Sequence, residues 1–184
     1  QYLMADIEYA EGFLEKGDAI LMRLRDDARA GPELWRNLFY SKKRQAAYGA
    51  AIKLALEGLE KFGNIFYFKD DLLECHAGAP VSLQAEFLEK IAHLNRTERL
   101  SFAMASDVEL EEWLRRANHV GVFDAARVIA RTLAVRIDDD AAWGRYLVHV
   151  ATYCDSNTLW AEFESQYTRQ EIWKTLRESC PEAL

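Results

Sequence analysis

The chain has 184 residues, half of them hydrophobic, with only nine glycines and three prolines. That length suits one domain or two small ones. The apolar share lets a core close unaided, and the scarcity of turn residues argues against a β-rich fold. A formal net charge of −7 disfavours a nucleic-acid binder, which needs cations to neutralise phosphates; it suits solubility, and it suits a basic protein partner met through steering.

Cys75, Cys154 and Cys180 are odd in number and lack CxxC spacing. A disulfide framework or zinc site is therefore not expected, and a reducing compartment, the cytoplasm, is. No run approaches the roughly 20 apolar residues of a membrane span, and the N-terminus has no basic region leading into an apolar run, as a signal peptide would. Met4 reads as the natural start, with Gln1–Leu3 added before it.

The first element spaces Leu3, Ile7, Ala10, Leu14, Gly17, Leu21, Leu24 and Ala28 by fours and threes, the repeat of a helix packed along its length on another. Ala30-Gly31-Pro32 supplies a stop and a new start, with Gly in the left-handed position after a helix and Pro in the first turn of the next. A second seam runs through Leu34, Leu38, Ser41, Gln45, Tyr48, Ile52, Ala55, Leu59 and Phe62, and Gly63-Asn64 ends it. Each helix is then expected to hold about 27–31 residues, roughly 40–46 Å, and the short link makes the pair a long antiparallel hairpin. Ser41 and Gln45 interrupt the seam, so the helices diverge there or face a third element.

Ile65-Phe66-Tyr67-Phe68 is too short for periodicity to decide between an extended linker and a helix start. Ala77-Gly78-Ala79-Pro80 is a clear break. The chain is thus either one all-helical domain over 1–184, or two subdomains at 1–76 and 81–184. Helices are expected beyond the break at about 81–94, 97–104, 107–118, 122–136, 139–153, 157–166 and 169–179. Asn95 with Glu98, Ser106 with Glu109 and Thr168 with Glu171 have capping-box spacing. The fold class is all-α: a long N-terminal hairpin with a C-terminal group of shorter helices, an irregular, repeat-like bundle.

Within residues 108–150, Gly121 marks a tight turn and Ala126 follows five residues later. Ala130 and Leu133 share its face, and Asp138-Asp139-Asp140 and Ala142-Trp143 come next. This stretch resembles a tetratricopeptide-type helical hairpin, in which small residues let two helices approach and an aromatic fills the gap to the next pair. The resemblance implies a surface for holding another protein. The match departs from the family pattern in three places. The proline expected near Asp138 is missing, Trp143 is one residue early, and the Trp of the first helix is displaced to Trp113. No second copy is legible at the period of about 34 that an array needs.

Candidate chemistry is sparse. Asp70-Asp71-Leu72-Leu73-Glu74 resembles the magnesium motif of terpene synthases, but its second motif and large cavity are missing; a helix N-terminus explains the acids. Glu8/Glu11 and Glu57/Glu60 match half of a carboxylate magnesium pattern without the other half. Glu89 and His93 are spaced as half a metal site, while His149, between two valines, reads as a core histidine. Cys75 and His76 are sequence neighbours, whereas a Cys–His nucleophile pair is normally assembled from distant segments. No cofactor or metal is expected.

The leading expectation is a non-catalytic protein-binding domain, an inhibitor- or immunity-type partner or an adaptor of another protein. Its candidate contact residues are Arg127, Arg131, Asp138, Asp139, Asp140 and Trp143. Two alternatives remain: a helical enzyme with a magnesium–carboxylate site, and a helical subunit of a nucleoprotein complex using Lys42-Lys43-Arg44 and Arg127/Arg131. The long seams close on each other or on a second copy of the chain.

Overall fold

A computed structural model of the chain describes residues 2–25, 27, 30–63, 69–97, 102, 105–154, 161 and 170–179. The described residues are helical and contain no strand, as the composition demands. They form α1 (Tyr2–Ala10), α2 (Leu14–Leu24), α3 (Pro32–Arg44), α4 (Tyr48–Phe62), α5 (Lys69–Gly78), α6 (Val81–Arg96), α7 (Asp107–Val120), α8 (Phe123–Ile137), α9 (Asp140–Tyr153) and α10 (Gln170–Ser179). No helix among them is long and apolar enough to cross a membrane. The chain divides into two compact units, Gln1–Ser101 and Phe102–Leu184. The break at 77–80 is only the link between α5 and α6, inside the first unit.

In the first unit the expected pair of long helices is replaced by two short hairpins. Each seam folds back on itself, at Gly12 and at Ala46, and these residues take left-handed φ of 85° and 54°. Both turns close with the same two bonds: Gly12 N–H to Tyr9 O and Phe13 N–H to Glu8 O, then Ala46 N–H to Lys43 O and Ala47 N–H to Lys42 O. This is a Schellman arrangement, which satisfies the carbonyls left free at a helix C-terminus. Apolar spacing carries on through such a turn because both arms face the same core, so a 3.5-residue period does not tell one helix from two.

The core of this unit gathers Ala5, Leu21, Leu34, Trp35, Leu38 and Leu54, with the Trp35 ring edge-on to Phe62 at 5.3 Å. Leu3 and Ile7, expected in the seam, are 72% and 49% exposed. With only nine residues, α1 buries Ala5 and half-buries Tyr9 on α2. Gly31 is not left-handed: it is the extended N-cap of α3, with Pro32 in the first turn. Helices α5 and α6 both pack on α4. Asn95 lies inside α6 and caps nothing. Ile65–Phe68 and Thr168 lie outside the described residues, as do most of 97–104 and 157–166.

The second unit opens on the expected capping box, with Ser106 Oγ accepting from Glu109 N–H and the Glu109 carboxylate accepting from Ser106 N–H. The Arg136 guanidinium donates to the carbonyls of Phe102 and Ala105, at 2.6 and 2.5 Å, and to Asp107 at 3.0 Å, which pins the entry to α7. Helices α7 and α8 join at Gly121 (φ 81°), closed by Gly121 N–H to Asn118 O and Val122 N–H to Ala117 O. That is the same turn as at Gly12 and Ala46.

The three turns also share side-chain register. Five residues after each left-handed residue stands a small buried one: Gly17, Ala51, Ala126. Nine residues after it stand Leu21, Ala55 and Ala130, all buried. Gly12 and Ala46 are 34 residues apart. A core cluster of the unit gathers Ala134, Ala142, Trp143, Tyr146, Leu147, Val150 and Ile172, the last anchoring α10 on α9; burial of a side chain the size of Leu147 contributes roughly 1.5–3 kcal/mol.

Candidate functional site

Helices α7 and α9 each pack against α8, and a cleft of about 300 Å³ opens between them. Each helix lends one face, at helical spacing. Glu111, Leu114 and Asn118 come from α7; Ala130, Leu133 and Ile137 from α8; Ala142, Arg145, Tyr146 and His149 from α9. The small Ala130 and Ala142 let α8 and α9 approach, while Leu114, Leu133, Ile137 and the Tyr146 ring make an apolar floor.

Its polar groups fall into two kinds. His149, 8% exposed, sets Nε2 at 3.5 Å from the Phe123 carbonyl oxygen. Burial lowers its pKa and the nearby Arg127 lowers it further, against the pull of that carbonyl, so the ring is neutral at pH 7. The other groups are unmet. Asn118 Oδ1 is buried and accepts no hydrogen bond among the described residues. Glu111 and Arg145 are exposed on opposite walls, and among the described residues neither has an ion-pair partner. Their neighbours are paired: Glu112 with Arg115 and Arg116, Arg127 with Asp124 at 3.2 Å, Arg136 with Asp107.

None of the contact residues expected from sequence lines this cleft. Asp138 is the left-handed C-cap of α8 and accepts from Trp143 Nε1 at 3.3 Å. Asp139 caps α9, accepting from Ala142 N–H at 2.6 Å, and Asp140 opens its first turn. Trp143 is 5% exposed, in the core. Thus Asp138, Asp139 and Trp143 build the α8–α9 joint. Arg127 and Arg131 sit one turn apart on α8, the first half-buried and the second exposed. Sequence reasoning missed Leu114, Asn118 and Arg145; a polar Asn118 in register with Glu111 and Leu114 was the available signal.

The other constellations are spent on the fold. In the first unit, Asp18, 5% exposed, accepts from Tyr9 Oη at 2.8 Å, Lys42 Nζ at 2.6 Å and Gln45 Nε2 at 2.9 Å. Burial would raise its pKa, but the bonds from Lys42, Ser41, Gln45 and Tyr9 prevail and hold it below the ordinary value. Ser41 and Gln45 therefore interrupt the seam in order to solvate Asp18. Lys43 binds Asp71 and Glu74, so two of the three cations in Lys42-Lys43-Arg44 are engaged.

Facing helices α4 and α6 do bring Glu57 and Glu60 together with Glu89 and His93, in a cleft of about 540 Å³. Glu57, however, is held by Arg25 and Trp35, and Glu60 by Lys90. Among the described residues no group of three or more His, Cys, Asp or Glu is arranged to hold a metal ion. Burial pushes the Cys75 thiol up to about 11, far from the thiolate a nucleophile needs. His76 Nε2 donates to the Gln84 carbonyl at 3.1 Å. No protein-family model matches the chain, and no curated protein is similar to it in sequence.

Proposed function

We propose that this chain is a non-catalytic protein-binding domain, an inhibitor- or adaptor-type partner that receives a segment of another protein in the α7–α9 cleft. The observation that carries the reading is the apolar floor of that cleft, bordered by Glu111 and Arg145, which have no ion-pair partner among the described residues. Exposed apolar clefts of this kind mark interaction sites. The same hairpin turn at Gly12 and Ala46 in the first unit and at Gly121 in the second supports it, since helical hairpins of this kind recur in proteins that hold other proteins. The tetratricopeptide-type resemblance of residues 108–150 points the same way. The buried Cys75 thiol, which is in no disulfide, fits the reducing conditions of a cytoplasm.

The test is a selection of random displayed peptides on the immobilised full chain, followed by rebinding to Leu114→Lys, a half-buried position where lysine places a charge in the cleft. Enriched peptides that bind the parent chain and fail on a folded Leu114→Lys support the reading. A selection without enrichment, or peptides indifferent to Leu114→Lys, contradicts it.

A further inference from the structure

The turns at Gly12 and Ala46 lie 34 residues apart, so each position of the first hairpin has a counterpart in the second. Ala5 corresponds to Phe39, and both are fully buried. Met4 and Ile7 correspond to Leu38 and Ser41, and here the hairpins part. Leu38 and Ser41 are 0% and 3% exposed. Helix α2 packs on that face of α3, with Leu21 and Leu38 in one core cluster and Asp18 bonded to Ser41 and Lys42. Met4 and Ile7 are 60% and 49% exposed, and Leu3 lies exposed beside them. A stack of helical hairpins carries a polar outer face where it closes; on α1 that face is apolar. The surface on which α3 receives a helix is thus repeated on α1 and left uncovered.

We infer that this face of α1 docks an amphipathic helix of another protein, lying as α2 lies on α3 and carrying basic residues along its flank. The charge follows from the same register. Lys42, which pairs with the acid of α2, corresponds to Glu8. Helix α1 holds no basic residue, and Asp6, Glu8 and Glu11 have no ion-pair partner among the described residues. An incoming helix therefore meets acid where α2 meets lysine, and it is matched by lysine or arginine where α2 has Asp18. A second copy of the chain is disfavoured. Two α1 helices laid together set these acids against one another, and the α2 face that fits such a site is already spent on α3 within each copy. The surface belongs to the first unit and does not depend on the cleft reading above.

The experiment selects a displayed library of single amphipathic helices, with the apolar stripe fixed and the flanking positions randomised, on the immobilised full chain. Affinities of the enriched helices are then measured by fluorescence anisotropy. The variants are Ile7→Asp and Leu3→Asp, both at exposed positions, and Glu8→Lys, each checked for native helicity. Asp6→Lys, at an exposed position, repeats the charge test should Glu8→Lys disturb the fold. Enriched helices are expected to carry lysine or arginine on the flank and to weaken at least about tenfold on Ile7→Asp. They weaken on Glu8→Lys as well, and recover when glutamate replaces their flanking cation. Helices enriched without a basic flank, or indifferent to Ile7→Asp and Leu3→Asp, overturn the inference, as does a selection that enriches none. A chain that sediments as a dimer and becomes monomeric on Ile7→Asp also overturns it, because the face then belongs to a second copy. Helices lost on Leu114→Lys but held on Ile7→Asp support the cleft reading and overturn the assignment to α1.

Discussion

The first hairpins of the two units begin from the same turn and treat the space beside it in opposite ways. At Gly12 and at Gly121 the backbone is closed by equivalent bonds, and the third residue before each is polar: Tyr9 in one, Asn118 in the other. Tyr9 donates to Asp18, which Lys42 and Gln45 complete from the next hairpin, so both oxygens of the Asp18 carboxylate are met. Asn118 has no such complement: among the described residues its buried Oδ1 has no hydrogen-bond partner, and the wall charges of the neighbouring cleft, Glu111 and Arg145, have no ion-pair partner. A filled polar lock stabilises a hairpin pair, while an unfilled one costs stability.

The sharpest way to break this contrast is Asp18→Ala, which leaves Lys42, Tyr9 and Gln45 facing a gap. We expect a loss of about 3 kcal/mol in urea unfolding; a loss below about 1 kcal/mol contradicts the lock. The same lock predicts an acid limb. Because Asp18 has a depressed pKa in the folded state, its contribution is complete at neutral pH. It fades as pH falls below the unfolded value near 4 and is gone once the lower folded value is passed. An Asp18→Asn chain should lack that limb when stability is followed by circular dichroism.

Next in size is Gly17→Ala, whose added Cβ would stand 2.4 Å from the Tyr9 ring. Displacing the ring strains its bond to Asp18, an effect of about 2 kcal/mol. Smaller still are the turns themselves. Ala46→Gly should stabilise by about 0.5–1 kcal/mol, because alanine is strained at a φ of 54°, and Gly121→Ala should cost about 1 kcal/mol. Thermal melts of the pair measure both signs. Last comes Asn118→Leu, expected to be neutral or slightly stabilising because it removes an unmet acceptor. A marked loss would mean that Asn118 serves the fold, and the contrast between the units would collapse.

Much of the fold was legible in the sequence, and the exceptions have physical causes. The Ser106 box, the stop at Gly63, Pro32 in the first turn of α3 and the Gly121 turn each rest on local chemistry that one sequence displays. The turn at Ala46 was not legible: alanine gives no sign of a left-handed residue, and the Schellman bonds that hold it there are backbone bonds. Gly12 did carry a sign, but an unbroken apolar spacing outweighed it. Both errors have one root, since periodicity reports which side faces the core and not the direction in which the chain runs. The site was less legible than the fold. Asp138–Asp140 and Trp143 are conspicuous residues that turned out to make a helix joint, while Asn118 and Arg145 stand out through what they fail to meet among the described residues, a property that exists only once the neighbours are placed.

The most direct measurement is the chemical-shift change of the side chains when a selected peptide is titrated into the isotope-labelled full chain. The account predicts that the largest shifts fall on the Asn118 side-chain amide, the methyls of Leu114, Leu133 and Ile137, and the Arg145 guanidinium. Shifts centred on Arg127, Arg131 and Asp138–Asp140, or in the first unit, with the Asn118 amide unmoved, would contradict it.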